Sequence, residues 1–239
     1  MKNSQYMSKS NELCNSADTL REKCAYKQAI CEYLNAILSD RNNPKLYLGL
    51  GICYKHLGKY TKAIDALEKT VQLDEFSYDA YYELGICNLC KGFPCKAIKC
   101  FVNAVKLNPN SADAILQLGI SHELCEEYDM ALMIYQKLIE NSPEYIKAYD
   151  HKSSLLMKMN RYKEASNILS QIMKKDSNYY KAYFGIGVCF DKLGKKADAQ
   201  RYYRKFLISK PNSEHASFVK DRMQKIRLCK SSSLPYALV

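Results

Sequence analysis

The sequence predicts an all-α solenoid of six 34-residue helix-turn-helix repeats closed by a C-terminal capping helix. Three observations predict it. Ala29, Ala63, Ala97, Ala131, Ala165 and Ala199 recur at intervals of 34. Small residues recur twelve positions earlier, at Ala17, Gly51, Gly85, Gly119, Ser153 and Gly187. Between them fall turn signals such as Leu57-Gly58-Lys59, Gly92-Phe93-Pro94 and Leu193-Gly194-Lys195. A fixed period of this length marks a repeat architecture, in which one hairpin cannot bury its apolar faces alone and its neighbours supply the core.

Residues 1–9 are expected to be a flexible N-terminus. The repeats then span 10–43, 44–77, 78–111, 112–145, 146–179 and 180–213. With positions numbered 1 to 34 in each, the small residue stands at 8 and the alanine at 20. Two helices cross closely only where bulk is missing, so these positions mark the contact between helix A and helix B. Large residues flank it, at position 4 (Leu13, Tyr47, Tyr81, Ile115, Tyr149, Tyr183) and position 24 (Tyr33, Leu67, Phe101, Tyr135, Leu169, Tyr203). Pro109, Pro143 and Pro211 at position 32 close helix B. In 214–230, Phe218, Val219, Met223 and Ile226 at helical spacing predict an amphipathic capping helix, with Ser213 as its N-cap, and 231–239 reads as a flexible tail.

Small-8, Ala-20, aromatic-24 and Pro-32 at period 34 resemble the tetratricopeptide repeat, with Tyr81-Tyr82-Glu83-Leu84-Gly85 reading as its signature. The resemblance covers residues 10–213. It implies a right-handed superhelix whose A helices line a concave surface, with positions 2, 5, 9, 12 and 13 facing inward, and a role in binding proteins. Positions 5 and 9 are apolar in four repeats: Leu48 and Ile52, Tyr82 and Ile86, Leu116 and Ile120, Phe184 and Val188. One helical turn separates the members of each pair, so each forms a patch. The partner expected there is a protein or peptide offering an apolar helix or extended segment. Superhelical curvature, the capping helix or a second copy of the chain are the alternatives that would cover these residues. Family members that clamp chaperone C-terminal tails carry a Lys, Asn and Arg pattern at positions 2, 5, 6 and 9 that no consecutive trio supplies here, which disfavours such a partner.

The net charge of +11 is unevenly spread. Residues 112–145 hold one basic residue against seven acidic, and residues 146–230 hold twenty against seven. Lys195, Lys196, Arg201, Arg204 and Lys205, with Lys220, Arg222, Lys225 and Arg227, offer a second reading: a binder of an acidic partner, RNA or an anionic membrane surface. Nucleic acid is not favoured, because only Tyr202 stands among these charges as a stacking residue.

Nothing in the sequence reads as an enzyme, a cofactor site or a metal site. Cys87, Cys90, Cys95 and Cys100 form the densest of eleven cysteines, yet their repeat positions place some in the core. His122-Glu123-Leu124-Cys125-Glu126 lacks the second histidine of a zinc-protease helix. Asp150, His151 and Ser154 carry hydrolase residue types, but adjacent helical residues point about 100° apart and cannot form the relay. Gly49-x-Gly51 and Gly185-x-Gly187 lack the third glycine and the preceding strand of a phosphate loop. No apolar run approaches signal-peptide or membrane-span length, and eleven cysteines is an odd number, so reduced thiols in the cytoplasm are expected. Self-association stays open.

Overall fold

The computed structural model describes the backbone of residues 2–231 and the side chains of 10–226. The described residues form an all-α helical-repeat solenoid of thirteen helices. They are α1 (Lys2–Glu22), α2 (Tyr26–Ser39), α3 (Pro44–His56), α4 (Tyr60–Leu73), α5 (Tyr78–Cys90), α6 (Pro94–Leu107), α7 (Ala112–Leu124), α8 (Tyr128–Asn141), α9 (Ile146–Lys158), α10 (Tyr162–Lys175), α11 (Tyr180–Lys192), α12 (Lys196–Ser209) and α13 (Ala216–Ser231). The chain divides into two compact units between Ile134 and Tyr135, inside α8.

In the first unit α1/α2, α3/α4 and α5/α6 pair as hairpins, and each B helix also packs on the next A helix. Successive A helices touch as well, α1 on α3, α3 on α5 and α5 on α7. Capping sets where these A helices begin. The Asn43 side chain accepts from the Lys45 N–H at 3.1 Å, Ser77 from Ala80 at 3.4 Å and Ser111 from Ala114 at 3.2 Å. In the second unit Tyr145 and Tyr179 occupy the same position and provide no side-chain cap. Caps of this kind contribute about 1 kcal/mol each.

Every described hairpin turns on one residue with positive φ at position 15. Gly58, Gly92 and Gly194 meet that demand without strain, with φ of 70°, 76° and 75°. Cys24, Glu126 and Asn160 adopt it too, at 59°, 62° and 60°. The same two hydrogen bonds close each turn: the Gly58 N–H reaches Lys55 O at 2.9 Å and the Lys59 N–H reaches Tyr54 O at 2.9 Å. At Glu126 the equivalents are Glu126 N–H to Glu123 O at 3.1 Å and Glu127 N–H to His122 O at 2.9 Å. This Schellman pairing satisfies orphan carbonyls and holds even a glutamate in the left-handed region.

The core repeats with the sequence. All six position-20 alanines are fully buried, and the position-24 side chains are 0–3% exposed. Position 8 is small because it receives position 24: a Cβ on Gly51 would stand 2.7 Å from Leu67, on Gly85 2.6 Å from Phe101, and on Gly187 2.6 Å from Tyr203. The tight contact is thus a large side chain in a glycine seat beside the alanine backbone.

Three expectations change. Residues 2–9 are helical and continuous with α1, where sequence alone suggests a flexible segment; no proline or glycine in 2–22 stops the helix earlier. Ser213 does not cap α13: its buried hydroxyl has no hydrogen-bond partner, and only its carbonyl accepts, from the Ala216 N–H at 2.9 Å. Phe218 is 52% exposed, leaving Val219, Met223 and Ile226 as the buried face of α13. The expected flexible tail beyond Ser231 lies outside the described residues.

Two substitutions test the turn. Glu126→Gly is expected to stabilise the chain by about 1 kcal/mol by removing left-handed strain, and Gly92→Ala to destabilise it by a similar amount. Gly92 has open space where a Cβ would stand, so its effect isolates the backbone. Urea unfolding followed by circular dichroism reads both; the same sign for the two would contradict the assignment.

Candidate protein-binding surfaces

In the first unit the position-5 and position-9 residues of three successive A helices occupy one register. Ile52, Ile86 and Ile120 are half-buried on α3, α5 and α7. Leu48 and Tyr82 are also half-buried, while Leu116 is 4% exposed and belongs to the core. Leu48 packs against the cluster of Ala63, Leu67, Leu84, Cys87 and Cys100. Tyr82 stacks on Tyr78 at 5.9 Å and meets the edge of Phe101 at 5.9 Å. The surface left to a partner is therefore narrower than sequence alone implies, centred on the three isoleucines. A polar strut crosses it: Lys55 Nζ lies 2.6 Å from Glu83 Oε2, with both side chains less than a fifth exposed, and ties α3 to α5.

The sixth repeat's pair is half-buried as well, but it packs on its own repeat and on the segment that follows it. Phe184 stacks on His215 at 4.4 Å and contacts Phe206 at 5.4 Å and Phe218 at 6.2 Å. Val188 packs on the cluster of Ala199, Tyr203, Phe206, Val219, Met223 and Ile226. Among the three alternatives, the capping helix is the cover here. Its anchor is Arg222, whose guanidinium donates two hydrogen bonds to Asp191, at 2.5 and 2.8 Å. Arg222 thus leaves the set of free basic residues.

The second unit instead offers a cavity of about 1000 Å³ between α9, α11 and the link to α13. Asp150, Ser154, Met157, Lys181, Phe184 and His215 are among its lining residues. Its walls are mixed in chemistry: Asp150 accepts a hydrogen bond from the Tyr179 hydroxyl, and burial together with that carboxylate raises the Tyr179 phenol above its ordinary range. Sequence reasoning missed this cavity because residues 210–215 build one wall and carry no periodic signal. Pro211, which stops α12, was the available hint.

Lys195, Lys196, Arg201, Arg204 and Lys205 are all exposed, in the turn before α12 and along that helix. Tyr202 is half-buried, stacked on Phe190 at 5.6 Å, with Arg201 5.1 Å and Lys205 5.8 Å from its ring centre. These cation–π contacts already occupy the aromatic face that a base would need.

The constellations with chemical residue types are used structurally. Cys87 and Cys100 lie in the core, where burial pushes them up to about 12 and about 11, while Cys90 and Cys95 are exposed, so the four do not converge. His122 Nδ1 lies 2.5 Å from Glu127 Oε2 and helps close its turn. His151 packs by Tyr135, ring centres 5.9 Å apart, and Asp150 serves Tyr179, so the three hydrolase residue types form no relay. Lys152, at a position apolar in four of the other five repeats, donates to Gln136 Oε1; burial lowers it below the ordinary lysine range, against the pull of Glu140 and Glu164. No helix among the described residues is long and apolar enough to cross a membrane.

Comparison with known proteins places the fold. The tetratricopeptide repeat family matches residues 44–76, and the coatomer epsilon subunit family matches residues 112–227. None of the curated proteins matches the chain in sequence. Among solved structures, YrrB, described as a TPR protein with an unusual peptide-binding site, is 19% identical, with a TM-score of 0.65 over 79% of this chain and 97% of its own. The C-terminal part of a TPR repeat-containing protein from Cytophaga hutchinsonii is 20% identical, with a TM-score of 0.76 over 83% and 79%. MamA from Desulfovibrio magneticus, from residue 41 to its end, is 20% identical, with a TM-score of 0.68 over 72% and 97%.

Arg222→Ala is expected to loosen α13 alone. Asp191 is 9% exposed, but Arg222 is 41% exposed and solvent screens part of the pair, so the loss is about 1 kcal/mol. Amide exchange in residues 216–226 should then quicken about fivefold while α9 to α12 keep their protection. Unchanged exchange in α13 would remove Arg222 as its anchor.

Proposed function

We propose that this chain, a tetratricopeptide-repeat protein, is a non-catalytic adaptor that binds an apolar helix or extended segment of a partner protein across α3, α5 and α7. The fold itself supports a protein-interaction role. The observation that carries the finer reading is the isoleucine row: Ile52, Ile86 and Ile120 keep part of their surface in water after all packing within their unit. Fully burying an exposed isoleucine is favourable by roughly 1.5–3 kcal/mol, and covering what remains exposed of this half-buried row gains part of that for each side chain. Exposed Leu124, one turn beyond Ile120, extends it. The peptide-binding site named for YrrB and the subunit status named for the coatomer epsilon family support binding to proteins.

The second reading is an acidic partner, RNA or an anionic surface on the basic side chains Lys195, Lys196, Arg201, Arg204 and Lys205, favoured by the exposure of all five. Salt separates the two, because contacts to a polyanion weaken steeply with ionic strength and apolar burial does not.

Peptides selected from a random display library on the full chain are expected to share at least two apolar residues. Ile86→Glu/Ile120→Glu should weaken them by about tenfold or more, through lost burial and an unpaired charge, with helicity unchanged. Retained affinity in the folded variant, or selection of acidic peptides whose binding vanishes in moderate salt, would transfer the function to the basic side chains.

A further inference from the structure

The repeat geometry pairs position 18 of one repeat with position 14 of the next, thirty residues later, along the edge where the hairpin turns lie. Lys91 Nζ and Thr61 Oγ1 meet in that register at 3.0 Å. One repeat further on, the same two positions are Cys95 and Cys125, and their Sγ atoms stand 3.0 Å apart. Cys95 is exposed in the first turn of α6, directly after Pro94. Cys125 ends α7, half-buried, its N–H bonded to Ser121 O at 3.1 Å. Both sulfurs thus hang from fixed backbone, and closing a bond of about 2.05 Å needs a movement of roughly 1 Å.

We infer that Cys95 and Cys125 form a reversible disulfide through exchange with a low-molecular-weight disulfide such as oxidised glutathione. The exposed Cys95 thiolate attacks one glutathione sulfur, breaking that S–S bond and releasing one glutathione. Cys125 gives up its proton to water and attacks the Cys95 sulfur of the mixed disulfide, expelling the second glutathione. Two protein thiols are oxidised to one disulfide while glutathione disulfide is reduced to two thiols, so electrons and protons balance. Desolvation and the adjacent Cys95 sulfur hold the Cys125 thiol up at about 11, consistent with Cys95 acting first. The four buried thiols Cys53, Cys87, Cys100 and Cys189 are shielded in the core. The bond would staple α6 to the end of α7. It would thereby fix the packing between the third and fourth repeats, whose helices α5 and α7 carry Ile86 and Ile120. This inference stands independently of what occupies those residues.

The full chain is equilibrated with glutathione and oxidised glutathione, quenched in acid, alkylated, and digested without reduction for mass spectrometry. A linked peptide joining Cys95 to Cys125, lighter than its two parts by two hydrogens, is expected. It should be absent in Cys95→Ser and in Cys125→Ser and should disappear when excess glutathione is added. Oxidation in urea should yield about tenfold less of it, because the folded chain holds the sulfurs at high effective concentration. Separate glutathione adducts on the two cysteines with no linked peptide, or a link formed equally in the unfolded chain, would overturn the inference. The measurement on the unsubstituted chain decides by itself, whether or not the serine variants fold.

Discussion

Within each unit, the packing of a hairpin depends on a large side chain at position 24 of the B helix finding a gap in the A helix opposite. At Gly51, Gly85 and Gly187, at position 8, a single added methyl would stand within 2.7 Å of that side chain. In two places the next repeat closes the other side by the same means: a Cβ on Gly49 would stand 2.3 Å from Tyr33, and one on Gly185 2.7 Å from Leu169. Position 24 is therefore a wedge held both within a hairpin and between hairpins. Each wedge buries a whole Leu, Phe or Tyr, about 1.5–3 kcal/mol of apolar transfer, and fixes the spacing of consecutive A helices. Gly49-x-Gly51 and Gly185-x-Gly187, which look like fragments of a phosphate loop, each seat two successive wedges, the first glycine that of the preceding repeat and the second that of its own.

In the first and sixth repeats the wedge also engages inward positions. A buried tyrosine needs a partner for its hydroxyl. Tyr33 donates to Asp18 at 2.6 Å, and Arg21 joins both, so the first repeat gives positions 9 and 12 to its own wedge. Tyr203 reaches Asp191 at 3.4 Å, and the same carboxylate holds Arg222, so the sixth repeat gives position 12 to its wedge and to the capping helix. Leu67 and Phe101 make no such demand. Their repeats place Ile52 and Ile86 at position 9.

Legibility in the sequence followed the range of the interactions. The period, the buried alanines and the small position 8 could be read because each recurs in every repeat and one misfit would be visible. The left-handed residue at position 15 could be read at Gly58, Gly92 and Gly194 but not at Cys24, Glu126 or Asn160. There the Schellman hydrogen bonds and the hairpin packing override the residue's own preference. The candidate site was half legible. Ile52, Ile86 and Ile120 follow from register, but Leu116 is core and Phe184 and Val188 are partly covered by α13 and the link before it. The cover depends on six aperiodic residues, 210–215, and on one ion pair between residues 31 apart in sequence. No local pattern announces either.

The two units thus present different inward chemistry from one backbone plan. Where positions 5 and 9 are Leu48 and Ile52 or Tyr82 and Ile86, the surface favours apolar groups. Where they are Asp150 and Ser154, it becomes a cavity with mixed polar and apolar walls whose acid is already bound by Tyr179. Substitutions at Ile52, Ile86 or Ser154, at position 9, alter the inward surface, whereas those at position 5 also touch the fold, since Tyr82 meets the edge of the wedge Phe101 and Leu48 packs on the cluster of Ala63 and Leu67. Position 5 thus serves the core as well as the inward surface, and in the first and sixth repeats a tyrosine wedge also draws an inward acid into the fold. A change at Asp18 or Asp191 should therefore be read first as a change in folding, and a change at Ile86 or Ser154 first as a change in what is bound.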